Sequence, residues 1–170
     1  LFNKGILPVA VATAMFGAGV AQAVTIGEGG PESVTVSTNV TANYWVSNNG
    51  TLVINNNGGQ MQSFYGTIDG SNLSTSTNGS RADSARGNVT ITAANGLTLY
   101  GDVGATNGTG NMTLEAGSTL YLADNMTTFR TTTLTIGTGS TVYTGNNASQ
   151  GYNRASGDAL TMTSNITMRG

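Results

Sequence analysis

Residues 112–125, MTLEAGSTLYLADN, are followed by residues 134–147, LTIGTGSTVYTGNN. Aligned 22 residues apart, Thr113, Gly117, Ser118, Thr119, Tyr121 and Asn125 recur as Thr135, Gly139, Ser140, Thr141, Tyr143 and Asn147. The apolar positions recur by type, Met112 with Leu134, Leu114 with Ile136 and Leu120 with Val142. Each copy alternates apolar and polar residues on both sides of a Gly-Ser-Thr step, the mark of two short half-buried strands joined by a turn.

Outward from this pair, the alternation runs from Asn88 to the last residues. Val89 and Ile91, Leu97 and Leu99, Met112 and Leu114, Leu120 and Leu122, Leu134 and Ile136, Leu160 and Met162, then Ile166 and Met168 are period-2 pairs. Asn95-Gly96, Gly117, Gly139 and Asn165 punctuate them. The groups open at Val89, Met112, Leu134 and Leu160, intervals of 23, 22 and 26 residues. A period in that range marks a repeat architecture. Two or three short strands per unit are too few for a four-stranded propeller blade and suit one coil of a parallel β-helix. The expected fold is therefore all-β, a right-handed parallel β-helix. At 22 to 26 residues per coil, the residues after Ala23 predict roughly six coils.

The composition agrees with strands. The chain has 170 residues, 25 of them Gly, and only 8% are charged. Thr, Gly and Asn weaken helices and favour strands and turns. There is no Cys and no His, which removes disulfides, the common zinc sites and the Ser-His and Cys-His catalytic pairs. A formal net charge of −2 leaves no electrostatic footprint for nucleic acid. No P-loop, dinucleotide fingerprint or Gly-x-Ser-x-Gly elbow occurs.

Residues 1–23 read as an address. Lys4, the apolar run from Ile6 to Val20 and the Ala21-Gln22-Ala23 site predict a secretory signal-peptide helix cleaved after Ala23. Residues 24–87 are less regular. Strands are expected at Ser33–Val36, Tyr44–Val46, Thr51–Asn55 and Ser63–Asp69, forming an N-terminal cap and the first coils. Residues 70–87, GSNLSTSTNGSRADSARG, have almost no apolar residues and predict a polar loop leaving the coil, with Arg81 and Arg86 as candidate ligand-facing cations. Residues 88–170 are the regular coils.

The GSTLYL and GSTVYT coils resemble the passenger of bacterial autotransporters and related β-helical adhesins, and LTIGTGSTVYTGNNASQG is similar to autotransporter-associated β-strand repeats. That resemblance implies export, transport through a C-terminal outer-membrane β-barrel translocator, and a chain that is the N-terminal fragment of a longer protein. The function it implies is a structural, adhesive stalk at the bacterial cell surface, not an enzyme, with host or matrix glycans or proteins as partners. Two alternatives stay open: a polysaccharide-degrading β-helix enzyme and a self-assembling matrix or filament protein.

Two candidate sites follow from the coil period. Asp102, Asp124 and Asn146 recur 22 residues apart and would gather near one corner, Asp102 offset by one residue, as oxygen ligands for Ca²⁺ or as a carboxylate pair for glycoside hydrolysis. The plainer reading makes them turn formers. Tyr121 and Tyr143 flank inward Leu120 and Val142, so both point outward and stack on adjacent coils as a candidate sugar-facing ladder. No cofactor is otherwise expected.

Overall fold

The computed structural model describes residues 23–27, 32–36, 39–47, 50–56, 58–70, 86–144 and 161–168. Within them the chain forms thirteen strands: β1 Ala23–Ile26, β2 Glu32–Val36, β3 Asn43–Val46, β4 Gly50–Asn55, β5 Gln62–Phe64, β6 Ile68–Gly70, β7 Asn88–Thr92, β8 Leu97–Leu99, β9 Thr109–Leu114, β10 Thr119–Leu122, β11 Thr128–Ile136, β12 Thr141–Thr144 and β13 Thr161–Met168. Every strand pairing is parallel. The strands sort into three faces of a parallel β-solenoid. Face one is the six-stranded sheet β2-β4-β7-β9-β11-β13, face two is β5-β8-β10-β12 and face three is β1-β3-β6. Single bridges from Ile68 to Val103 and from Val103 to Phe129 carry face three upward.

The repeat that opens the sequence is a physical repeat. Thr119 pairs with Thr141, Leu120 with Val142 and Tyr121 with Tyr143. The recurring Gly-Ser step has two jobs. Gly117 and Gly139 take φ of +71° and +70°, a left-handed turn that favours glycine. The serine then ties its turn to the turn below: Ser118 Oγ accepts from Ala93 N at 3.0 Å, and Ser140 Oγ accepts from Ser118 N at 3.1 Å while donating to Glu115 O at 2.7 Å.

Inside, like sits on like. Leu52, Val89, Met112 and Leu134 form one buried column behind face one, and Phe64, Leu99 and Leu122 another behind face two. Tyr44, Ile68, Val103 and Phe129 stack behind face three. Each such aliphatic or aromatic side chain contributes roughly 1.5–3 kcal/mol by leaving water. At the corners, where the backbone ladder breaks, short polar side chains accept the orphaned N–H groups of a neighbouring turn. Asn39 accepts from Ser63 N, Asn43 from Thr67 N, Asp69 from Thr106 N and Asn88 from Asn111 N, all at 2.8–3.1 Å.

Three expectations are corrected. The solenoid has about four turns, those opened by β4, β7, β9 and β11, not six. The coil length is not constant: Leu52 and Val89, paired neighbours, are 37 residues apart, and Leu134 and Ile166 are 32 apart, so excursions consume chain without adding turns. The described residues are all-β and contain no helix, and residues 1–22, where the signal-peptide helix is expected, lie outside them. Ala23, expected to be that helix's last residue, opens β1 and pairs with Asn43, while Ala21 lies outside the described residues. The single strand expected at Ser63–Asp69 is two strands, β5 and β6, because the chain turns a corner at Gly66.

Candidate functional site: a tyrosine face

Face two gathers the aromatic surface. Its strands read QSF, LTL, TLYL and TVYT, with no charged residue. Along one outward column the register runs Ser63, Thr98, Tyr121, Tyr143. Two residues further on, Tyr65 and Tyr100 follow the paired Phe64 and Leu99, and Ala123 comes next, the ladder continued by Tyr100 N to Phe64 O and Ala123 N to Leu99 O. Each of the four turns thus contributes one tyrosine, two in each column.

The rings are ordered by one another. Tyr65 and Tyr100 stack with centroids 4.7 Å apart and planes 15° apart. Tyr121 and Tyr143 stack at 4.8 Å and 7°. These separations match the spacing of neighbouring strands, about 4.8 Å. They exceed the closest stacking of carbon atoms, so the rings are offset and each leaves part of its face uncovered. Tyr65 is 52% exposed and Tyr143 41%, whereas Tyr100 and Tyr121 are half-buried. Tyr121 rests on Gly96, where an added Cβ would lie 3.3 Å from its Cε2 and 3.3 Å from Met61 Cγ. Met61, exposed beside them, accepts from Thr98 Oγ1 at 3.7 Å through its sulfur. The surface is a neutral strip of phenol rings with Met61 at its flank.

The other expected site residues fall elsewhere. Asp102 is a corner tie. Its Oδ1 accepts from Thr127 N at 2.7 Å and Thr128 N at 2.9 Å, and its Oδ2 accepts from Thr127 Oγ1 at 2.9 Å. Asp124 sits in the next turn's corner with a buried Oδ1 that has no hydrogen-bond partner, and Asn146 lies outside the described residues. Among the described residues no three His, Cys, Asp or Glu side chains come together to hold a metal. Arg86 stands at the corner between faces three and one, donating to Thr132 Oγ1 at 3.4 Å, away from the tyrosines, and Arg81 lies outside the described residues.

Of the ligand-facing candidates, the structure therefore brings Tyr121 and Tyr143 together and adds Tyr65, Tyr100 and Met61. The added residues carry no constant spacing, since Tyr65 and Tyr100 are 35 residues apart across the excursion after β6. One signal was available: Phe64-Tyr65 and Leu99-Tyr100 are both core-then-aromatic steps at a strand end.

No protein-family model matches the chain, and comparisons with curated proteins and with solved structures find no match.

Proposed function

We propose that the chain is part of an exported, adhesive stalk on a bacterial surface, and that face two is its contact surface. The solenoid supplies a stiff rod in which each turn is tied to its neighbours by parallel ladders and corner hydrogen bonds. The observation that carries the adhesive reading is the uncharged tyrosine strip across four turns, since repeated weak contacts along a rod combine into avidity. Binding, not catalysis, is its work in this reading. The likeness of the GSTLYL and GSTVYT coils to autotransporter passengers supports the further proposal that a longer chain carries an outer-membrane β-barrel translocator, with glycans or proteins of a host or matrix as partners.

The test is display of the gene with its native flanking sequence in a Gram-negative host, followed by protease shaving of intact cells and retention on immobilised host-cell and matrix material. Surface-accessible chain and retention above an empty-vector control are expected. Chain confined inside the cell, or retention equal to the control, overturns the reading.

A further inference from the structure

We infer that face two binds a neutral, linear polysaccharide lying along the solenoid axis across Tyr65, Tyr100, Tyr121 and Tyr143. The inference rests on the adhesive reading above and names its ligand class. Three observations carry it. First, the strip is uncharged and the whole chain is weakly acidic, with a net charge of −2 and a pI near 4.7. Anionic polymers need Lys or Arg to replace their counterions, and face two has neither. A neutral polymer is the partner that matches.

Second, the strip is periodic. One phenol ring per turn, at 4.7–4.8 Å within each stacked pair, spans about 14 Å over four turns of strand spacing. The step from the Tyr100 column to the Tyr121 column is two residues, about 7 Å sideways. A regular surface of this kind fits a ligand that repeats along its length. An irregular protein epitope gains nothing from the repeat.

Third, the rings are both amphipathic and preorganised. A tyrosine offers an apolar ring to the C–H faces of a sugar and a phenol oxygen to its hydroxyls. Tyr121 is seated on Gly96 and stacked on Tyr143, and Tyr65 is stacked on Tyr100, so little side-chain freedom remains to be lost on binding.

The test is a pull-down of the full chain on insoluble cellulose and chitin, with affinity electrophoresis in soluble mixed-linkage glucan, xylan and, as the anionic comparison, polygalacturonate. Retention by at least one neutral polysaccharide and none by polygalacturonate is expected. Tyr121→Ala with Tyr143→Ala should weaken binding about tenfold, as truncation of central contact residues does. Tyr143→Phe, which keeps the ring, is the variant that guards against misfolding and should bind within about threefold of wild type. Thr113→Ala, on face one, should leave binding unchanged. Failure on every neutral polysaccharide, or equal binding by the double-alanine variant, overturns the inference. If cells still adhere to matrix material in that case, the adhesive reading stands and only the ligand class falls. Sedimentation showing a concentration-dependent dimer abolished by the same double variant, without polysaccharide binding, assigns the face to a second copy and likewise overturns it.

Discussion

Gly101 lies directly over the carbonyl of Gly66 in the turn below, and a Cβ on Gly101 would overlap that oxygen. Gly66 stands in the same relation to the carbonyl of Ala42. This corner, between faces two and three, is where backbone rests on backbone, and it immediately follows Tyr65 and Tyr100. The close approach keeps successive turns at strand spacing and so keeps the two rings in contact.

Gly101→Ala should therefore cost about 3 kcal/mol of stability, at the upper end of overpacking penalties, because the obstruction is main chain and cannot rotate away. Gly59→Ala is the matched control: an added Cβ there meets nothing within 4 Å, and its effect should stay within about 0.5 kcal/mol. Urea unfolding followed by far-ultraviolet circular dichroism separates the two. Equal stability of both variants would remove the corner as a determinant of turn spacing.

The tyrosine pairs should couple in the same measurement. A double-mutant cycle on Tyr121 and Tyr143, each replaced by Ala, should return a coupling of about 0.5–1.5 kcal/mol, and the Tyr65 and Tyr100 cycle a similar value. Tyr65 with Tyr143, three turns apart, should be additive to within about 0.5 kcal/mol. Additivity in all three cycles would mean that the rings do not order one another in solution.

What was readable in the sequence is set by where the period is constant. Met112 and Leu134 are successive members of one column with no excursion beyond their corner loops, so the 22-residue offset exposed the parallel β-helix and the Tyr121–Tyr143 stack directly. Leu52 and Val89 are equally close neighbours in the sheet, but 37 residues separate them, and this concealed both the turn count and the Tyr65–Tyr100 pair. The same period also aligns the acids, where the turn-forming reading and the metal reading both stay open in the sequence. Asp102 and Asp124 do recur 22 residues apart, yet Asp102 acts alone, as Asn43 and Asp69 do at their own corners. Backbone N–H groups at a corner call for a nearby acceptor, and spacing by itself does not separate that demand from a metal's.

Asp102→Ala should cost about 2 kcal/mol, since two corner N–H groups and the Thr127 hydroxyl lose a charged acceptor. Asp102→Asn keeps a carbonyl oxygen for both N–H groups, and Thr127 Oγ1 turns to accept from the new amide, so the loss should be less than about 1 kcal/mol. Calcium at millimolar concentration should leave the melting temperature of wild type unchanged, because both carboxylate oxygens are already engaged. A calcium-dependent rise in melting temperature that Asp102→Asn abolishes would restore the metal reading.

Alkaline pH should find Tyr44. It is 6% exposed, packed against Phe64 with ring centroids 5.7 Å apart, and burial raises its phenol above the ordinary value of 10.0. The unfolded chain gives up this proton near pH 10, whereas the folded chain holds it. Above that pH the unfolded state therefore binds fewer protons, and stability falls as pH rises from about 10 towards the raised value in the folded chain. Below pH 10 the residue contributes no slope. Tyr44→Phe keeps the ring and removes the proton, so the variant should match wild type at neutral pH to within about 1 kcal/mol and lose less stability on going above pH 10. Urea midpoints measured on both chains across pH 8 to 11.5 decide it, and parallel declines in the two would place the alkaline sensitivity in other groups.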